Sequence, residues 1–200
     1  MATLSTLSGA IDRATRGIDP RSMLELGAGD GTMMLRLARK RAKQWPDVKV
    51  VMLDRQDTVA PATLDAIRAL GWKPGVTCVD IFDWLAIADE SRWNVIWASL
   101  FLHHFKDDEI AGLFGDIAHR CSAFICCEPR RTLLPAIASR GVGLIGAGEV
   151  TRHDAVKSVR AGFRGKELSH LWPNRREWSL HEYPAGLFSH CFIAYRKRLK

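Results

Sequence analysis

Apolar residues along this 200-residue chain fall in short runs separated by amphipathic stretches. Met23-Leu24-Glu25-Leu26 reads as a short buried strand, and a glycine-rich turn separates it from Met33 to Lys40, where apolar positions recur at helical spacing. Pro46 and Asp47 mark a turn before Val48 to Leu53, an apolar, β-branched run that predicts a second strand. Ala60 to Leu70 reads as a helix stopped by Gly71, and Val76 to Val79 and Trp93 to Ala98 read as the third and fourth strands. Asp107 to Arg120 predicts a helix with Ile110, Leu113, Phe114 and Ile117 on one face, and Ala123 to Cys127 predicts a fifth strand. Strands alternating with helices imply an α/β fold, a parallel sheet with right-handed crossovers. The rhythm then changes. Glu177 to Tyr183 and Leu187 to Tyr195 are spaced as a hairpin around Pro184-Ala185-Gly186, so an antiparallel strand is expected to close the sheet. No repeat or linker divides residues 1–200, so one domain is expected. Residues 130–174 are too many for one crossover helix and are expected to carry a lid.

Composition narrows the class. Hydrophobic residues make up 47% of the chain, enough to fill a core. No apolar run approaches the roughly eighteen residues of a membrane span. Met1 to Leu7 has neither the basic nor the apolar region of a secretory signal. The five cysteines are odd in number and show no C-x-x-C spacing. They are expected as reduced core residues, with no disulfide framework and no metal site, in a cytoplasmic protein. The formal charge of +7 and pI of 9.4 raise the possibility of a nucleic-acid partner. The cations are spread, however. Arg36, Arg39, Lys40, Arg41 and Lys43 follow one helix and its end, and Arg196, Lys197, Arg198 and Lys200 form a tail. Solvated helix faces are therefore the favoured reading over nucleic acid, and the oligomeric state stays open.

The chemistry centres on Glu25-Leu26-Gly27-Ala28-Gly29-Asp30-Gly31, which joins a predicted strand to a predicted helix. Glycines there let the backbone turn sharply and approach a ligand closely. The following helix start offers free N–H groups to a carboxylate or phosphate. The spacing is G-x-G-x-G, not the G-x-G-x-x-G of a dinucleotide site, because Thr32 stands where the last glycine would be. Glu25 would repel a pyrophosphate but suits a ligand carrying an ammonium group. Asp54 ends the second strand roughly twenty residues beyond the glycines, where an acid can accept ribose hydroxyls. Asp80 ends the third strand, with Asp83 a weaker candidate a turn later.

The run E-L-G-A-G-D-G-T resembles motif I of the class I S-adenosyl-L-methionine (SAM)-dependent methyltransferases. Leu102-His103-His104-Phe105 is similar to the segment that follows the fourth strand in that family. The resemblance covers Arg21 to Pro129 by motif, and by topology only beyond. One departure is Asn94, where many members carry an acid. The resemblance implies a Rossmann-like seven-stranded, mostly parallel sheet with an antiparallel C-terminal hairpin strand and helices on both faces. It also implies SAM as cofactor, held by Glu25, Gly27, Ala28, Gly29, Gly31 and Ser99, with Asp54 on the ribose and Asp80 and Ile81 on the adenine.

Such a cofactor brings its own leaving group, so the protein supplies alignment and a dry pocket. A base is needed only where the acceptor must lose a proton. His103 and His104 are the first candidates. His153 beside Asp154, in the polar stretch from Thr151 to Phe163, is a second possible base with its orienting acid. Glu128, Arg130 and Arg131 follow the fifth strand and are expected to line an acceptor pocket. Apolar Leu133, Leu134, Leu144 and Ile145 suit an aromatic, phenolic or polyketide-like small molecule, with O-methylation slightly preferred over C-methylation. An RNA or protein methyltransferase is the second reading. Against it, no N-P-P-Y-type tetrapeptide follows the fourth strand, and no Pro-Cys pair serves as a cytosine nucleophile. A non-catalytic SAM-binding protein is the third.

Overall fold

The computed structural model describes residues 4–15, 19–87, 92–131 and 162–197. Seven strands form one sheet: β1 (Ser22–Leu26), β2 (Lys49–Asp54), β3 (Lys73–Cys78), β4 (Trp93–Ser99), β5 (Cys121–Pro129), β6 (Trp178–Ala185) and β7 (Ser189–Arg196). Their order across the sheet is β3-β2-β1-β4-β5-β7-β6. β1 to β5 run parallel, and β7 lies antiparallel between β5 and β6. The helices are α1 (Leu4–Thr15), α2 (Thr32–Arg41), α3 (Pro61–Ala69), α4 (Ile81–Ala86), α5 (Asp107–Arg120) and α6 (Glu167–Leu171).

Central strands read as unbroken apolar runs because helices cover both faces of the sheet. Along β4, Val95 and Trp97 enter one core while Ile96 and Ala98 enter the other. Leu7 and Ile11 of α1, Met34 and Leu37 of α2 and Ile67 of α3 close the first core. Ile110, Leu113, Phe114 and Ile117 of α5 close the second, as their helical spacing predicts. There Phe114, Phe124 and Phe192 surround Trp172, with ring centroids 4.9, 5.6 and 5.6 Å from it.

Three boundaries differ from the sequence pattern for physical reasons. β3 begins at Lys73 and runs through Pro74 and Gly75, residues that a strand tolerates at the edge of a sheet. The hairpin reverses later than expected. On β6, the other edge strand, Pro184 and Ala185 still pair with His190 and Ser189 of β7, and Gly186 takes the left-handed φ of 81°. Phe188 consequently sits exposed in the turn, outside the core. No element was expected before Arg21, yet α1 buries Leu7, Ala10, Ile11 and Ala14. Four cysteines are buried as expected, but Cys78 is exposed at the end of the edge strand.

Residues 132–161, the greater part of the expected lid, lie outside the described residues, and with them His153, Asp154, Leu133, Leu134, Leu144 and Ile145. The part of that stretch that is described is framework. Phe163 forms a bridge with Arg130, and Leu168 and Trp172 pack into the second core. Among the described residues, no helix is long and apolar enough to cross a membrane. The strand order reverses between β1 and β4, and open α/β sheets place their ligand crevice at the carboxyl ends of the strands at such a point.

Candidate functional site

The turn after β1 is built by three glycines with positive φ: Gly27 at 68°, Gly29 at 53° and Gly31 at 74°. An L side chain in that region costs about 1–2 kcal/mol. Gly27 carries a second constraint, since a Cβ there would lie 2.4 Å from Cδ2 of Phe101. The N–H groups of Gly27 and Ala28 donate to the Leu53 carbonyl at 2.9 and 3.1 Å, tying the turn to the end of β2. The Gly29 peptide is gripped from both sides. Its N–H donates to Asp54 Oδ2 at 2.8 Å, and its carbonyl accepts from Thr58 Oγ1 at 2.7 Å. A Cβ on Gly29 would meet nothing within 4 Å, so the turn opens outward there.

A cleft of about 420 Å³ lies against this turn. It brings together Gly27, Asp54, Asp80, Ile81 and His104 of the expected residues. Leu100, Phe101 and Phe105, from the segment after β4 singled out in the sequence, also line it, and so does Arg55, which was not expected. Nothing local in the sequence marks Arg55 or Thr58, because their places depend on loops meeting across the sheet ends. Asp54 Oδ1 also accepts from the Gln56 N–H at 3.0 Å. Asp80 is the N-cap of α4, accepting from the Phe82 N–H at 2.9 Å, and faces the cleft as well. Ser99 ends β4 half-buried and does not line the cleft.

Glu25 is 2% exposed, and its Oε2 has no hydrogen-bond partner among the described residues. Burial raises its pKa well above the ordinary value, and the neighbouring charges of Asp30 and Asp54 raise it further. A buried carboxylate oxygen without a partner is rare and costly. A cationic donor beside it would relieve both the burial and the repulsion.

Glu128, expected in an acceptor pocket, is turned to another task. It is fully buried, and its Oε1 accepts from the N–H groups of Phe101 and Leu102, each at 3.0 Å. Its Oε2 takes the His103 N–H at 3.4 Å and lies 2.9 Å from His103 Nδ1. One carboxylate thus holds the loop after β4, including the single 3₁₀ turn Leu102–His104. Arg130 and Arg131 do not join it. Arg130 reaches the Gly186 carbonyl at 3.3 Å, and Arg131 forms an ion pair with Glu167. The two histidines part company as well. His103 is almost buried on Glu128, whereas His104 faces the cleft with its ring 4.1 Å from that of His103. Burial, then the neighbouring His103, hold the His104 pKa below its ordinary value against the pull of Glu128. Among the described residues, no group of three or more His, Cys, Asp or Glu side chains is placed to hold a metal ion.

No family model matches the chain, and no curated protein matches it in sequence. Solved structures do resemble it. A protein of Nostoc punctiforme PCC 73102 named as an O-methyltransferase aligns with a TM-score of 0.63 at 13% identity, over 96% of this chain and 56% of its own. Magnesium protoporphyrin IX methyltransferase from Synechocystis PCC 6803, solved with bound SAH, aligns with a TM-score of 0.60 at 11% identity, over 97% and 81%. Human N-acetylserotonin methyltransferase, solved with SAM, aligns at 0.51 and 12% identity, over 98% and 55%. The chain therefore spans a little over half the length of the first and third of these. At such identities the likeness is one of fold.

Proposed function

We propose that this chain, which has the fold of the class I SAM-dependent methyltransferases, binds SAM in the cleft at the ends of β1, β2 and β3 and directs its methyl group to a small-molecule acceptor. The observation that carries this reading is the buried Oε2 of Glu25, unpartnered among the described residues, beneath a glycine turn that opens on a cleft walled by Asp54 and Asp80. When bound, SAM supplies a methyl group on a sulfonium that is its own leaving group.

The residues fit that group. Glu25 would pair with the ammonium, and the turn at the start of α2 would meet the carboxylate with backbone N–H groups. Asp54 would take the ribose hydroxyls. Asp80 and the first turn of α4 at Ile81 would meet the adenine. Phe101, packed on Gly27, walls the cleft and excludes water.

Of the two candidate imidazoles only His104 lines the cleft, and His103 stands behind it on Glu128. If His103 Nδ1–H donates to Glu128, its Nε2 is left as the proton acceptor. His104 reaches the cleft itself and, with a lowered pKa, is neutral at neutral pH. Such a base serves an acceptor that must lose a proton, a phenol or an acidic carbon alike, and between them we slightly favour O-methylation of an aromatic, phenolic or polyketide-like molecule over C-methylation. Arg130 and Arg131 follow β5 but do not line the cleft, so any contact with an acceptor would require them to leave the Gly186 carbonyl and Glu167.

Calorimetry with SAM and SAH tests the cofactor, and SAH release across a panel of phenols tests the acceptor. The wild-type chain is expected to bind both ligands, and Asp54→Ala to weaken both by at least tenfold, about 1.4 kcal/mol. A chain that ignores both ligands, or takes up a nicotinamide dinucleotide, overturns the reading. SAM binding without turnover of any phenol overturns the acceptor alone.

A further inference from the structure

The direction of the strands sorts the charge of this molecule. β1 to β4 end near the cleft, and their starts form the opposite end of the sheet. Exposed cations stand at those starts: Lys49 and Lys73 begin β2 and β3, and Arg21 and Arg92 precede β1 and β4. β7 runs the other way, so its last residues also arrive at this far end, where Arg196 pairs with Trp178 of β6. Exposed Arg176 and Lys197 flank that pair. α2 returns from the cleft and brings Arg39, Lys40 and Lys43 to the same end. At the cleft end the strands finish instead on Glu25, Asp54, Asp80 and Glu128 or lead into them. Much of the +7 charge therefore faces away from the proposed site.

Helix dipoles favour cations at helix C-termini, which accounts for Arg39 and Lys40. They do not account for the cations at the strand starts, because sheets carry little net dipole. Acids offset these charges only in part: Asp47 pairs with Lys73 and feels Arg21, and Glu177 pairs with Arg196. Of Arg21, Lys49, Lys73, Arg92, Arg176 and Lys197, only Lys73 forms an ion pair among the described residues, with Asp47 at 2.6 Å.

We propose that this far end docks on the phosphate backbone of double-helical nucleic acid. Arg39, Arg92 and Arg176 present the forked donors that match phosphate oxygens, and Arg21, with one arm on the Pro46 carbonyl, adds charge beside them. Single strands are a poorer match, because they need exposed rings for base stacking, and Trp45, Trp72 and Trp93 near this end are only 5%, 2% and 7% exposed. An acidic bilayer is also a poorer match. Among the described residues, Phe82, Leu100, Leu187 and Phe188, four of the five large exposed apolar side chains, lie at the cleft end, and only Ile87 lies toward the cations. A duplex held here lies a strand's length from the cleft, on the order of 20 Å. It is a docking partner and not the methyl acceptor, and this holds whether or not SAM fills the cleft.

Fluorescence polarisation of the full chain with a labelled DNA duplex of about 20 bp and arbitrary sequence, titrated with salt, tests the location of binding. Two variants with the same change in net charge are compared: Arg92→Glu with Arg176→Glu at the far end, and Lys106→Glu with Arg164→Glu at the cleft end. The far-end pair is expected to lose roughly tenfold or more in affinity and to lower the salt slope by about two units, while the cleft-end pair keeps wild-type binding. Circular dichroism and thermal melts show that both variants are folded. Equal losses in the two variants, absence of binding at about 50 mM salt, or binding to phosphatidylserine vesicles but not to the duplex would each overturn the proposal. So would transfer of methyl groups from SAM to the duplex, which would place it in the cleft.

Discussion

Glu25 ties the chemistry of one residue to the stability of the molecule. Burial first, then Asp30 and Asp54, raise its pKa above the ordinary 4.5. In the window between 4.5 and the raised value the folded chain binds more protons than the unfolded chain, so stability falls as pH rises through that window. Glu25→Gln removes the dependence. The ligand-free variant is expected to melt higher than wild type at neutral pH, yet to bind SAH roughly 10- to 100-fold more weakly, as loss of a charged hydrogen bond costs about 1.5–3 kcal/mol. Melting curves with and without SAH check both halves, and unchanged SAH affinity would remove Glu25 from the site. His104 titrates in the opposite sense. Its pKa is lowered from 6.5, so the neutral, proton-accepting form persists to more acid pH than for a free imidazole. The acid limb of kcat is expected to lie below pH 6.5 and to change shape in His104→Gln, while SAH affinity stays within about twofold. A pH–rate profile identical to wild type would exclude this histidine as the base.

Among the elements, the loop after β4 depends most on a distant partner. Three of its N–H groups and the His103 ring converge on Glu128, at the far end of β5. Leu100, just before them, takes a left-handed φ of 56° while its N–H donates to the Cys127 carbonyl. Non-glycine residues in that region persist where surrounding contacts hold them, often at functional sites. Glu128→Gln keeps the size but loses the charge. It is expected to destabilise the chain by about 1.5–3 kcal/mol and to lower kcat more than it weakens SAH binding. Denaturant titration and steady-state kinetics read the two effects, and a variant with wild-type stability and kcat would show that the loop does not need its anchor. A matching arrangement holds α6. The Glu182 carboxylate, buried beside His190, accepts from the N–H groups of Leu168 and Ser169. Burial pushes the Glu182 pKa up, but the bonds from His190, Ser169 and Leu168 outweigh it and hold the group below its ordinary value.

For the whole molecule, separation of acids at the cleft end from bases at the other end has a kinetic consequence. SAM carries one more positive charge than SAH. The acidic end should therefore steer SAM inward more than SAH, and salt should screen the difference. Stopped-flow tryptophan fluorescence is expected to show the SAM association rate falling a few-fold between about 10 and 150 mM salt, with SAH little changed. Equal salt dependence for the two ligands would mean that the acids near Gly29 are balanced by Arg55 and contribute no steering.

Local order settled much of this in advance. A strand buried on both faces must be apolar throughout, so β1, β2 and β4 stand out as runs, and α5 shows its one apolar face. A turn that needs three left-handed residues must use glycine, so Gly27, Gly29 and Gly31 reveal themselves, and Asp54 and Asp80 stand out because strand ends are countable. Contacts between distant segments were not legible, since packing alone decides which loops meet. The strand order, Glu128 reaching back to Phe101 and His103, Thr58 on Gly29 and the hairpin reversing at Gly186 belong to that class. The sorting of charge belongs there too: residue types are written along a line, but which end of the sheet each one reaches depends on the direction of its strand.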